Sequence, residues 1–195
     1  ETAVFQIRIH GRGGQGVVTA AEMLALAGFM EGHHAQAFPS FGSERTGAPV
    51  TAFARLAPNE IRLREPVLEP DVVLVQDRTL LDSVNVFAGL RPEGYVLINS
   101  SRSAEELGLG DLIAKLPAGH VLTVPATRFA MEKIGRPLPG AAMLAGMAAM
   151  TGTMKLESVQ AAYNEKFKGA VAAANAEVAS MAFEAVKRAL GGEHA

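Results

Sequence analysis

Residues 4–16 read VFQIRIHGRGGQG, and residues 17–30 continue VVTAAEMLALAGFM. Phe5, Ile7 and Ile9 alternate with Gln6, Arg8 and His10, the period of two expected of a strand with one better-buried face. Residues 17–30 hold only Thr19 and Glu22 as strongly polar positions, so the segment predicts a helix covered on both sides. Strand, glycine turn and helix in that order open an α/β fold.

Downstream segments extend the pattern. Ala35 to Phe38 predicts a short second strand ended by Pro39, which cannot donate to a ladder. Pro49 to Leu56 and Glu60 to Arg64 predict a hairpin about Pro58-Asn59. Val72 to Val75, Val96 to Ile98 and Val121 to Val124 are short continuous apolar runs, as in parallel strands buried on both faces. Asp77 and Asn99 stand at the carboxyl ends of two of them. Leu80 to Leu90 predicts a crossover helix. After Pro125 the chain predicts helices at Thr127 to Ile134, Ala141 to Met150, Leu156 to Phe167 and Ala170 to Leu190, broken by glycine and proline. The expectation is a mostly parallel sheet with helices on both faces, a small hairpin insertion and a helical C-terminal extension. One domain spans 1–195, with an α/β core over about 5–150 and helices over about 151–195.

Composition narrows the chemistry. The 195 residues carry a formal charge of -2, so no global field draws the chain to nucleic acid or an anionic membrane. No cysteine is present, which removes disulfides, thiolate metal ligation, iron–sulfur ligation and thiol nucleophiles from this chain. The apolar run Ala141 to Met150 is about half the roughly 20 residues a membrane span requires. These features point to a cytoplasmic location. Adjacent His33 and His34 diverge on any regular element and make no metal site without further ligands. No nucleophile or acid–base pair stands at a useful spacing, so no catalytic residue is expected.

Gly11, Gly13 and Gly16 satisfy G-x-G-x-x-G between strand and helix. Such a turn lets backbone approach a ligand and aims free helix amides at an anion. A dinucleotide site also needs an acid near the end of the second strand, where this chain has Phe38-Pro39-Ser40. No Lys-Ser/Thr pair follows, so the turn is not a P-loop. It is therefore an anion site or a tight packing turn. Arg12, Gln15 and Arg45 are candidates to extend a cradle, since arginine pairs bidentately with phosphate or carboxylate. His10 precedes the glycines, where it is placed either to donate to a ligand or, the commoner use, to pack at the strand end. The loop SFGSERTGAP over 40–49 presents amides and charge of its own. The helix Ala141 to Met150 combines small residues with Met143, Met147 and Met150, a surface that lets another backbone approach closely, although core packing is the commoner use.

Taken together, HGRGGQGVVTAAEMLA, AQAFPSFGSERTGAPVTAFAR, EPDVVLVQD, VLINS and VPATRFAMEKIGRPLPGAAMLA resemble, in order from about residue 5 to 150, the gamma subunit or gamma domain of the 2-oxoacid:ferredoxin oxidoreductases of pyruvate and ketoisovalerate type. The resemblance implies a subunit of an enzyme that turns a 2-oxoacid and coenzyme A into acyl-CoA and carbon dioxide, with electrons passing to ferredoxin or a similar acceptor. It implies thiamine diphosphate and Mg2+ between alpha and beta chains, and [4Fe–4S] clusters in beta and a delta-type chain. It further implies that gamma helps to place coenzyme A, through Gly11, Arg12, Gly13, Gly14, Gln15 and Gly16, through Ser43, Arg45, Thr46 and Gly47, and through a region near Arg136. Many relatives show Asn where this chain has Gly140. A structural scaffold subunit and an independent nucleotide-binding domain are the alternatives.

Overall fold

The computed structural model describes residues 3–40 and 45–192. A six-stranded sheet forms its centre: β1 (Phe5–Arg12), β2 (His34–Pro39), β3 (Pro49–Ala57), β4 (Val72–Val75), β5 (Tyr95–Asn99) and β6 (Val121–Val124), in the order β2-β3-β1-β4-β5-β6. β1, β4, β5 and β6 pair in parallel, whereas β3 is antiparallel to both neighbours. β3 alone therefore runs against the other strands.

Alternation along β1 divides its two faces. Ile7 and Ile9 join the main core with Val72, Leu74, Leu97 and Val124. Against this face lie α1 (Val17–Met30), α3 (Ala126–Lys133), α4 (Gly140–Thr151), α5 (Leu156–Lys166) and α6 (Gly169–Gly192). α1 is covered as its composition predicts, by β2 and β3 on one side and α5 on the other. Every residue of α4 from Gly140 to Met150 is buried. Gly146 lets α4 lie close to the sheet, since a Cβ there would stand 2.7 Å from Leu97 Cδ2. The methionine-rich helix is a core element, held inside by α6.

The opposite face carries a smaller core built by Val73, Val75, Val96 and Ile98 with Leu80 and Val86. Short elements cover it: a 3-10 turn at Arg78–Asp82 and the six-residue α2 (Gly110–Lys115). The predicted crossover helix over Leu80 to Leu90 is thus only one turn long. Turns follow it through Gly89, whose φ is +74° and where a Cβ would stand 1.9 Å from the Leu68 carbonyl oxygen.

The predicted hairpin is also corrected. Glu60 to Arg64 form no strand, and β3 pairs with β2 and β1 instead. The reason is polar. Arg55 is 2% exposed and donates to Gln6 Oε1, Gln36 Oε1 and the Glu65 carbonyl. Gln36 donates to the Leu63 carbonyl. Segment 60–65 gives one carbonyl to the buried Arg55 guanidinium and one to the half-buried Gln36 amide, and a ladder would withdraw them.

Candidate functional site

β1 ends at Arg12, and the chain turns through Gly13 to Gly16 into α1. Gly14 and Gly16 take φ of +94° and +70°, the left-handed region that favours glycine. Gly13 is demanded by proximity: a Cβ there would lie 2.1 Å from the Arg45 carbonyl oxygen. That contact belongs to a small parallel bridge, in which the Gly13 amide donates to the Ala48 carbonyl at 2.9 Å and the Gly47 amide donates to the Gly13 carbonyl at 3.1 Å. The two loops singled out in the sequence are thereby fastened side by side. Ser43 lies outside the described residues.

The fastening leaves donors at the turn. Among the described residues no backbone acceptor pairs with the amides of Gly14 or Gly16. The first amides of α1 lack intrahelical partners by geometry, and no side chain caps this end. Arg45, Thr46 and Gly47 are exposed beside it.

Arg12, a candidate to extend the cradle, is engaged within the chain. Its Nη1 donates to the Gly47 carbonyl at 3.0 Å, its Nε and Nη2 donate to Thr79 Oγ1 at 3.2 and 3.0 Å, and Nε stands 3.4 Å from Asp77 Oδ2. Gln15 completes a clamp: its Oε1 accepts from the Arg12 amide and its Nε2 donates to Asp77 Oδ2, both at 2.8 Å. Burial pushes the Asp77 carboxyl up, but hydrogen bonds from Thr79 and Gln15 and the charge of Arg12 outweigh it, and its pKa falls below the ordinary value. The acid at the end of β4 therefore holds the glycine turn against the sheet. Its position was legible in the sequence; its partner in the clamp was not.

On the other side of Gly16 a cavity of about 210 Å³ is lined by Arg136, Leu138, Gly140, Tyr163 and Phe167. Arg136 and the glycine turn, far apart in sequence, thus share a wall. Gly140 packs closely here, and a Cβ would stand 2.7 Å from Tyr163 Oη, which would have to shift. Tyr163 is 5% exposed, and its burial pushes the phenol pKa well up.

β3 separates β1 from β2. The end of β2, where a dinucleotide fold keeps its ribose-binding acid, is displaced to the sheet edge. With Pro39 there as well, the geometry for gripping a dinucleotide ribose is lacking. Among the described residues no cluster of three or more His, Asp or Glu side chains is arranged to hold a metal, and no helix is long and apolar enough to cross a membrane.

The family model for pyruvate ferredoxin/flavodoxin oxidoreductase matches residues 6–185. The chain belongs to this family. Within it the match is to gamma-type subunits. The common gamma subunit of the pyruvate/ketoisovalerate oxidoreductases of Thermococcus kodakarensis is 49% identical over 180 residues, covering 92% of this chain and 96% of that one. The pyruvate synthase subunit PorC of Methanocaldococcus jannaschii is 43% identical over 188 residues, covering 96% and 100%. The crystal structure of the pyruvate oxidoreductase subunit PORC of Thermotoga maritima superposes with a TM-score of 0.77 at 36% identity, covering 93% and 96%. The fold expected from the strand and helix pattern is that of this subunit.

Proposed function

We propose that this gamma-type chain serves a 2-oxoacid:ferredoxin oxidoreductase by holding the diphosphate of coenzyme A, while partner chains perform the oxidation. The reading is carried by one observation: the Gly13 bridge sets the glycine turn beside Arg45 to Gly47, with the amides of Gly14 and Gly16 free of backbone partners among the described residues. A diphosphate suits such a place, because main-chain amides and the positive end of α1 act at short range and a guanidinium adds a charge-assisted hydrogen bond. Arg136, across Gly16, stands where it can meet the same ligand.

The residues present do not fit the redox cofactors of such an enzyme. A chain without cysteine does not hold an iron–sulfur cluster by thiolates. Thiamine diphosphate, Mg2+ and the clusters are assigned to alpha, beta and delta-type partners, with ferredoxin or a similar acceptor taking the electrons. Cytoplasmic placement accompanies that assignment.

The scaffold alternative finds no apolar surface at α4, whose residues from Gly140 to Met150 are buried inside the chain. The deciding experiment is the assembled complex carrying Arg45→Ala, with apparent affinity for coenzyme A as the readout. A loss of about 1.5–3 kcal/mol is expected for a charge-assisted hydrogen bond. Unchanged affinity would make the chain a scaffold.

A further inference from the structure

The cavity beside Gly16 is built where the helical layer folds back on itself. The link between α3 and α4 brings Ile134, Arg136 and Leu138 to it, the end of α5 brings Tyr163 and Phe167, and the start of α6 brings Val171 and Asn175. The Tyr163 and Phe167 rings lie nearly parallel, 10° apart in plane and 5.8 Å between centroids, and form an aromatic wall. Ile134, Leu138 and Val171 make the other walls apolar. At about 210 Å³ the space is smaller than the roughly 300–1,000 Å³ of drug-sized sites, so it suits a small molecule.

Two polar groups open into this apolar space without partners. Tyr163 and Asn175 are 5% and 6% exposed. Among the described residues Tyr163 Oη makes no hydrogen bond, and Asn175 engages only its Nδ2, which donates to the Val171 carbonyl at 3.1 Å. Among the same residues Gln76 Oε1 is the side-chain polar atom sealed away with no partner, so Tyr163 Oη and Asn175 Oδ1 keep accessible surface, and both residues line the cavity. Polar atoms this deeply set are normally paired. A ligand hydroxyl would satisfy both, because it accepts from the phenol and donates to the amide oxygen. Arg136 is the one charged residue of the lining; it is exposed, at the mouth, and among the described residues pairs with no carboxylate. A guanidinium so placed grips a carboxylate bidentately.

We propose that this cavity is a binding site in its own right for a small carboxylic acid with an apolar branched body and a hydroxyl. The carboxylate meets Arg136, the body lies among Leu138, Val171 and the Phe167 ring, and the hydroxyl completes Tyr163 and Asn175. Other ligand classes fit less well. A phosphomonoester carries close to two negative charges, and one guanidinium over apolar walls does not match them. A hydrocarbon leaves Tyr163 and Asn175 unpaired, and an amine is repelled by Arg136. The site stands apart from the coenzyme A reading, because its groups face the apolar cavity rather than the free amide of Gly14. Arg136 has five N–H donors, so serving the acid does not bar it from the glycine turn.

The test uses the assembled oxidoreductase without coenzyme A and follows binding by calorimetric titration. The probes are 2-hydroxy-3-methylbutanoate, its amide, which lacks the charge, and 3-methylbutanoate, which lacks the hydroxyl. The hydroxy acid is expected to bind roughly tenfold tighter than the amide and about threefold tighter than 3-methylbutanoate. Arg136→Gln should erase the first preference and Tyr163→Phe the second, each leaving the other in place. Val171 is 46% exposed, so Val171→Trp should cover the mouth and abolish binding of every probe while the chain stays folded. The oxidation site on partner chains binds acids of its own, and the signal belonging to the cavity is the part that Val171→Trp removes. Probes that bind the wild type and Val171→Trp alike, or a hydroxy acid with no advantage over its controls, would overturn the proposal. Strict competition by added coenzyme A would overturn it as well, by making the cavity part of that ligand's path. The binding measurement contains no coenzyme A, so its result stands whether or not Arg45→Ala affects that ligand.

Discussion

The Cα of Gly13 faces the carbonyl of Arg45 so closely that a side chain of any size would collide with backbone: the added Cβ would stand 2.1 Å from that oxygen. The bridge that joins the two loops exists because residue 13 has no Cβ. Gly13→Ala should therefore separate them, lower the thermal midpoint and weaken coenzyme A binding together. Gly14→Ala meets open space but keeps a φ of +94°, so it should cost only about 1–2 kcal/mol of stability. Thermal unfolding of the two variants distinguishes collision from backbone strain.

Asp77 is predicted to act as a fastener. Asp77→Asn keeps the size and the Thr79 turn but removes the charge that meets Arg12 and accepts from Gln15. Faster amide exchange over residues 12–16 is expected, with the sheet unaffected. The depressed carboxyl pKa gives the same conclusion as a function of pH: its stabilisation is present above the ordinary Asp range and is lost as pH falls through the lower folded value.

His10 gives the clearest pH signature. It is 6% exposed, and its Nε2 accepts from Arg8 Nε at 2.9 Å. Desolvation and then the Arg8 charge lower its pKa to about 4, although the Val86 carbonyl pulls it up. Between pH 6.5 and 4 the unfolded chain takes up a proton that the folded chain refuses, so stability declines as pH falls through that window. The shift corresponds to about 3 kcal/mol. Chemical denaturation across pH should show this slope in the wild type and a flatter one in His10→Gln.

Gly140 and Tyr163 are predicted to be coupled. The asparagine of the family pattern, introduced as Gly140→Asn, would meet Tyr163 Oη at its first side-chain atom and should destabilise by about 1–3 kcal/mol, as overpacking does. Tyr163→Phe removes the colliding oxygen. The double variant should recover part of the loss, and a double-mutant cycle in denaturant measures the coupling.

Much of this fold was readable because it is local. The alternation of Phe5, Ile7 and Ile9, the apolar runs at 72–75, 96–98 and 121–124, and the glycine between β1 and α1 each express their element within a few residues. The C-terminal helices were legible for the same reason. What escaped is set at long range. Nothing near residue 50 says that β3 will enter between β1 and β2, and nothing near residue 60 says that buried Arg55 will claim the Glu65 carbonyl. The glycine turn and Arg136 were both singled out from the sequence, and their meeting beside Gly16 depends on α1, α4 and α5 packing together. The clamp of Asp77 on Arg12 and Gln15 escaped because it joins residues far apart in the chain.

The central claim is tested most directly by a structure of the assembled oxidoreductase with coenzyme A bound. The account predicts the diphosphate within hydrogen-bond distance of the Gly14 and Gly16 amides, with the guanidinium of Arg45 on its oxygens. Coenzyme A seated wholly on other chains, with the glycine turn facing solvent or a partner's backbone, would contradict it.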